Sequence, residues 1–173
     1  MDVQAFRMEY RDSAYSIEYR PNCARWADND IGEDNPIRDI NNWSREIKYL
    51  VNGELSDDIR NIPPTTGGIY IFYLKGKSLP FMEYYILYVG RAKLTDTMNI
   101  QTRAIHYIYD RNSRVNIKMM FDLWGNDLYY RYYSDTDNET IERNEALLIR
   151  AIVPPYNLEI PKRIDVQPST NAF

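Results

Sequence analysis

Gly68-Ile69-Tyr70-Ile71-Phe72-Tyr73-Leu74, followed by Tyr84-Tyr85-Ile86-Leu87-Tyr88-Val89-Gly90, decides the architecture. Both runs are apolar at consecutive positions instead of alternate ones, so as strands they need cover on both faces. Gly76-Lys77-Ser78 and Pro80 supply the loop between them. Leu128-Tyr129-Tyr130-Arg131-Tyr132-Tyr133 reads as a third strand.

Helical patterns lie between and beyond these strands. Ile100, Ala104, Tyr107 and Ile108 share a face over Asn99 to Asp110, and the apolar stretch Val115 to Trp124 suits a second helix. Thr136-Asp137-Asn138-Glu139 has capping-box spacing and opens a last helix that reaches Ile152, where Pro154-Pro155 stops it. Upstream, Tyr15 to Tyr19 alternates like a short strand. Pro36 opens a predicted helix whose face is Ile37, Ile40, Trp43, Ile47 and Leu50, ended by Asn52-Gly53. The expected fold is α+β: a small, mainly antiparallel sheet of three strands flanked by helices. Residues 1–66 form a strand and helix extension packed on a domain over 67–160, and 161–173 form a polar tail.

At 173 residues the chain can bury a core without covalent staples. Its 44% apolar and 14% aromatic content excludes widespread disorder. Its longest apolar stretch near the C-terminus, Ala146 to Val153, is broken by Arg150 and is too short to span a bilayer. Met1-Asp2-Val3-Gln4 has no secretory pattern, and a cytoplasmic location is expected. The single cysteine, Cys23, and single histidine, His106, exclude an internal disulfide, a cysteine zinc site and a Ser-His-Asp triad as expectations. A bound metal would have to be held by oxygen.

Charge is unevenly divided. Residues 1–66 carry 8 Lys and Arg against 13 Asp and Glu, and the remainder carry 13 against 12. Within the later part, Arg91, Lys93, Arg103, Arg111, Arg114 and Lys118 outnumber Asp96 and Asp110, which suits a local anion-binding surface on a protein of net charge −4.

On the last helix, Glu145 falls in the middle of the apolar arc of Ile141, Leu148, Ile149 and Ile152. A carboxylate placed there costs several kcal/mol unless a cation or a proton compensates it. Neutralisation by an Arg and ligation of a metal both satisfy that need. Glu142, one turn earlier at the edge of the arc, is the weaker candidate. On the preceding helical stretch, Arg103 and Tyr107 share a face with His106 alongside. The Arg fork suits phosphate, although a solvated face with an amphipathic Tyr would read the same way.

In this order the residues resemble the GIY-YIG nuclease superfamily, whose two tripeptides match Gly68-Ile69-Tyr70 and Tyr88-Val89-Gly90. Arg103 followed by Tyr107, then Glu145, then Asn157 in Pro154-Pro155-Tyr156-Asn157 extend the likeness over Gly67 to Asn157. The second tripeptide carries Val89 where Ile is usual, and the interval between tripeptides implies an inserted loop around Gly76 to Glu83. Residues 1–60 have no counterpart.

The resemblance implies a GIY-YIG fold and Mg²⁺-dependent hydrolysis of DNA, with Mn²⁺ as an alternative ion. It implies Glu145 as the metal ligand and Tyr70 as the base that activates water, assisted by Arg103, the metal or Tyr88. Arg103 would hold the scissile phosphate, Tyr107 would order water or phosphate, and Asn157 would brace the site. Arg91 and Lys93, with His106, would contact the substrate. A short chain suits restriction or phage defence. Rival readings are a catalytically silent module that binds nucleic acid or a protein partner, and a tyrosine-nucleophile strand transferase. RNA as substrate, and a homodimer or protein partner engaged through residues 1–60, also fit the sequence.

Overall fold

The computed structural model describes residues 31–75 and 84–161. Tyr15 to Tyr19, Cys23, the loop after Lys75 and the tail from Lys162 onward lie outside the described residues.

Among the described residues the main sheet has four strands, all antiparallel, in the order β1-β6-β4-β5. They are β1 (Ile47–Lys48), β4 (Gly67–Lys75), β5 (Tyr84–Ala92) and β6 (Tyr129–Asp135), with a separate hairpin of β2 (Leu50–Val51) and β3 (Glu54–Leu55). Helices α1 (Asp57–Arg60), α2 (Ile100–Asp110), α3 (Val115–Trp124) and α4 (Asn138–Ile152) complete the α+β arrangement. Three strands were expected. The fourth, β1, is a two-residue edge strand that pairs Ile47 with Tyr130 and Lys48 with Tyr129, too short to carry a periodic signal.

The central strand shows why consecutive apolar residues were needed. Tyr70 and Phe72 enter a cluster with Ile100, Ala104 and Tyr107 of α2 and with Ile117, Met120 and Phe121 of α3. Ile69 and Ile71 enter a second cluster with Ile141 and Ile149 of α4. Two helices cover one face and α4 covers the other, so the residues of β4 from Gly67 to Leu74 are all buried or half-buried, whichever way they point, and only Lys75 at its end is exposed.

The predicted helix after Pro36 does not form. Pro36–Arg38 and Ile40–Asn42 are single 3₁₀ turns, capped by the Asn35 and Asp39 side chains, which accept from the backbone N–H groups of Ile37 and Asn41. The apolar residues of this stretch serve different layers. Ile37 and Trp43 join the α4 cluster, Ile47 and Leu50 join the cluster across the sheet, and Ile40 is exposed. One helical stripe could not reach both faces. Asn52-Gly53 is not a helix end but the two-residue turn of the β2–β3 hairpin, with φ of 54° and 82°, as a type I′ turn requires.

At the start of α4 the cap is Asp137, not Thr136. Its carboxylate accepts from Glu139 N–H at 3.1 Å and from the Thr140 hydroxyl at 2.5 Å. Val153 closes the helix in the left-handed region and donates to Ile149 O, and the chain then turns along the outer edge of β5. There Tyr156 N–H donates to Leu87 O at 3.0 Å, while Asn157 accepts from Val89 N–H at 2.9 Å and donates to Val89 O at 2.8 Å. No helix among the described residues is long and apolar enough to cross a membrane.

Candidate active site

A cavity of about 360 Å³ opens beside the C-terminal half of β5 and is lined by Tyr70, Tyr88, Arg91, Ala92, Lys93, Met98, Arg103 and Glu145. Its walls come from both sides of the sheet edge. Tyr70 of β4 is paired with Gly90 of β5, and Tyr88 with Phe72, so Tyr70 and Tyr88 point to the α2 side. Arg91 is paired with Ile69 and leaves on the opposite side, where α4 presents Glu145.

Gly90 makes this geometry possible. A Cβ at that position would lie 2.5–2.7 Å from three atoms of the Tyr70 ring and hydroxyl, so any side chain would displace Tyr70. The ring is also held from its other sides, stacked on Tyr130 at 5.6 Å and edge-on to Tyr107 at 5.7 Å.

The Tyr70 and Tyr107 hydroxyls share a hydrogen bond of 2.6 Å, and Arg103 Nε donates to the Tyr70 oxygen at 3.2 Å. The guanidinium groups of Arg103 and Arg114 lie 5.2 Å and 5.0 Å from the centre of the Tyr107 ring, within cation–π range. Burial pushes the Tyr70 phenol above its ordinary range, the neighbouring Tyr88 adds to the rise, and Arg103 opposes it. Burial, reinforced by Tyr107, raises Tyr88 in the same way. In the resting protein both tyrosines are therefore neutral phenols at pH 7.

Across the cavity, Glu145 is buried and ion-paired with Arg91. Burial raises its carboxyl above the usual carboxylate range, against the pull of Arg91. Glu142 is half exposed, accepting from Lys93 at 2.6 Å and from Arg91 at 3.2 Å, and these two cations hold its carboxyl low. Among the described residues no three His, Cys, Asp or Glu side chains gather into a cage. One buried carboxylate facing a cavity with room for water fits Mg²⁺, which keeps several waters and binds through one or two carboxylates. Among the described residues no His or Cys lines the cavity, so it offers none of the nitrogen and sulfur ligands that zinc sites favour.

Of the residues singled out in the sequence, Tyr70, Tyr88, Arg91, Lys93, Arg103 and Glu145 line one cavity. Tyr107 stands behind Tyr70 and reaches the site through its hydroxyl. Asn157 touches only the β5 backbone at Val89, a bracing position. His106 is half-buried and is not among the residues lining the cavity. Arg91 and Lys93, expected to face substrate, are occupied by the carboxylates of α4. Arg114 was counted only as part of a basic stretch, because its place over Tyr107 depends on the 3₁₀ turn Arg111–Ser113 that separates α2 from α3. Met98 and Ala92 carried no chemical signal that would have marked them.

Comparison of the chain with family models, with curated proteins and with solved structures finds no match in any of the three.

Proposed function

We propose that this chain is a GIY-YIG-type endonuclease, cytoplasmic and suited to restriction or phage defence, that hydrolyses DNA phosphodiester bonds with Mg²⁺ or Mn²⁺. The observation that carries this reading is the shared cavity. Two phenols, a guanidinium and a buried carboxylate from four separate elements converge there, in the company expected from the two tripeptides.

Hydrolysis forms a bond from a water oxygen to phosphorus and breaks the bond to one sugar oxygen, which leaves with a proton. Arg103 supplies fixed positive charge for the phosphate oxygens, and its bond to Tyr70 and its place over Tyr107 hold the fork in one orientation. Tyr70, in the fraction ionised to the phenolate, receives the proton of the attacking water and becomes the neutral phenol. Tyr107, bonded to the Tyr70 oxygen, keeps that oxygen aimed into the cavity. Asn157 fixes the backbone of Val89 and with it the flanking Tyr88 and Gly90. A divalent ion held by Glu145 would neutralise charge building on the phosphate.

The elevated phenol of Tyr70 gives the rate a direction with pH. A base whose pKa lies above the assay pH is ionised in a fraction that grows about tenfold per unit. Cleavage at saturating Mg²⁺ is therefore expected to climb steeply between about pH 7 and 9, and Tyr70→Phe to remove the slope with most of the activity. A flat profile in the unaltered protein would leave Tyr70 a hydrogen-bonding role only.

Incubating the full chain with supercoiled, linear and single-stranded DNA and with RNA, with and without Mg²⁺ or Mn²⁺, tests the activity and the polymer together. Nicked or cut DNA with defined ends is expected only with the ion. The Arg91–Glu145 ion pair and the acidic net charge favour a second reading, a non-cleaving module that binds nucleic acid or a protein partner. Retained DNA binding without cleavage under every ion condition would select it.

A further inference from the structure

Arg91 bridges two carboxylates of unequal character. Glu145 has a side chain only 11% exposed, whereas Arg91 is 35% exposed and Glu142 51%. A carboxylate as buried as Glu145 needs a cation or a proton to compensate it, and among the described residues Arg91 is the cation ion-paired with it. Arg91 has no such constraint. It reaches solvent, and Glu142 stays neutralised by Lys93 at 2.6 Å if Arg91 moves.

Among the described residues that line the cavity or pair with its lining, three cations, Arg91, Lys93 and Arg103, stand against two anions, Glu145 and the adjoining Glu142. In the resting arrangement Arg91 and Lys93 are both spent on α4, and Arg103 is bonded to Tyr70. An incoming phosphate thus meets little uncommitted positive charge on the β5 side. A divalent ion arriving at Glu145 meets a guanidinium already in its place.

We propose that Arg91 is a displaceable internal counter-cation: it pairs with Glu145 until an ion binds, and a divalent ion that takes Glu145 releases the Arg91 guanidinium to the phosphodiester entering the same cavity. This rests on the reading of Glu145 as the ion-binding carboxylate. Two consequences follow from the exchange. Ion binding alone is weakened, because it must expel Arg91. Ion and nucleic acid reinforce one another, because Arg91 gains a new anionic partner only when both are present. The coupling is reciprocal, as any linkage between two bound species must be.

The test measures binding without turnover. Free Mn²⁺ is followed by electron paramagnetic resonance while the full chain is titrated, alone and with a saturating short oligonucleotide whose linkages are phosphorothioates. In the unaltered protein the oligonucleotide should tighten Mn²⁺ by about tenfold or more, within the range usual for coupled sites. Arg91→Met keeps the aliphatic stem and removes the charge. It should bind Mn²⁺ alone about tenfold more tightly than the unaltered protein, with the oligonucleotide effect reduced to about threefold or less.

A second measurement avoids any variant. The Arg91 Nε–Hε nuclear magnetic resonance signal should shift on titration with Mg²⁺ alone, whereas that of Arg114 should stay in place. Equal or weaker Mn²⁺ affinity in Arg91→Met, or an Arg91 signal unmoved while the ion binds, overturns the exchange. If DNA is still cut with Mg²⁺ in that event, the nuclease reading stands without it. Absence of Mn²⁺ binding in both proteins, together with intact DNA, removes both.

Discussion

Glu145→Ala is expected to lose Mg²⁺-dependent cleavage by about a thousandfold while keeping its fold. The two halves of this result have separate causes. Cleavage falls because no other described carboxylate replaces Glu145. Glu142, the nearest on the same helix, lies half exposed between Arg91 and Lys93. The fold survives because of which member of the ion pair is removed. Cutting the partner from a buried charge commonly costs about 3–5 kcal/mol, but here the charge left behind is Arg91, which reaches solvent and retains Glu142 at 3.2 Å. The loss should therefore be about 1 kcal/mol, as for exposed pairs. Plasmid nicking and a thermal melt on the same preparation check both halves. Full activity in the variant would end the metal role of Glu145. A collapse of the melt would show the ion pair to be a structural anchor.

Gly68→Ala is expected to be the most damaging single methyl in the described residues. Gly68 has φ of 147°, a conformation that side chains rarely adopt, and a Cβ there would lie 2.1 Å from the backbone oxygen of Tyr133. The strand has no room to yield, because Gly68 is paired on one side with Ser134 and on the other with Ala92. Backbone strain of about 1–3 kcal/mol and overpacking of similar size together give about 4 kcal/mol. At about 2–4 °C per kcal/mol for a chain of this size, Tm should fall by roughly 10 °C. Gly32→Ala is the control. A Cβ there meets nothing within 4 Å, so its effect should stay within about 0.5 kcal/mol. Indistinguishable melts for the two variants would contradict the close packing of β4 against β6.

Most strands and helices from Gly67 onward were legible because each kept one pair of faces along its length, whereas Val115 to Trp124 was read as helix from its apolar content without a clean period. β4 and β5 were extended by one to three residues at their ends, β6 began one residue later and ended two residues later than expected, and α2 and α4 fell where their spacing placed them. The stretch from Asn35 to Leu55 was misread because residues destined for opposite sides of the sheet happened to repeat at helical intervals. Hydrophobicity marks that a residue is buried, not which layer buries it. The Asn52-Gly53 turn was the clue that outweighed the stripe, since both residues take positive φ and sit between paired strands. Tyr70, Tyr88 and Arg103, singled out by their order in the chain, and Glu145, singled out also by its apolar arc, line one cavity, whereas the partner of Glu145 was not legible. Burial within an apolar arc announces that a carboxylate needs a cation. It does not say that the cation comes from Arg91, 54 residues away and across the edge of β5.

The segment ending in Asn157 also settles what can happen along the outer margin of the sheet. Leu87 and Val89 would otherwise present open ladder groups to any passing chain, the usual route to runaway association of strands. With Tyr156 and Asn157 already occupying those groups, sheet-to-sheet growth through this part of β5 is closed off. A second copy could not add its strand at Leu87 or Val89 without first displacing Tyr156 and Asn157.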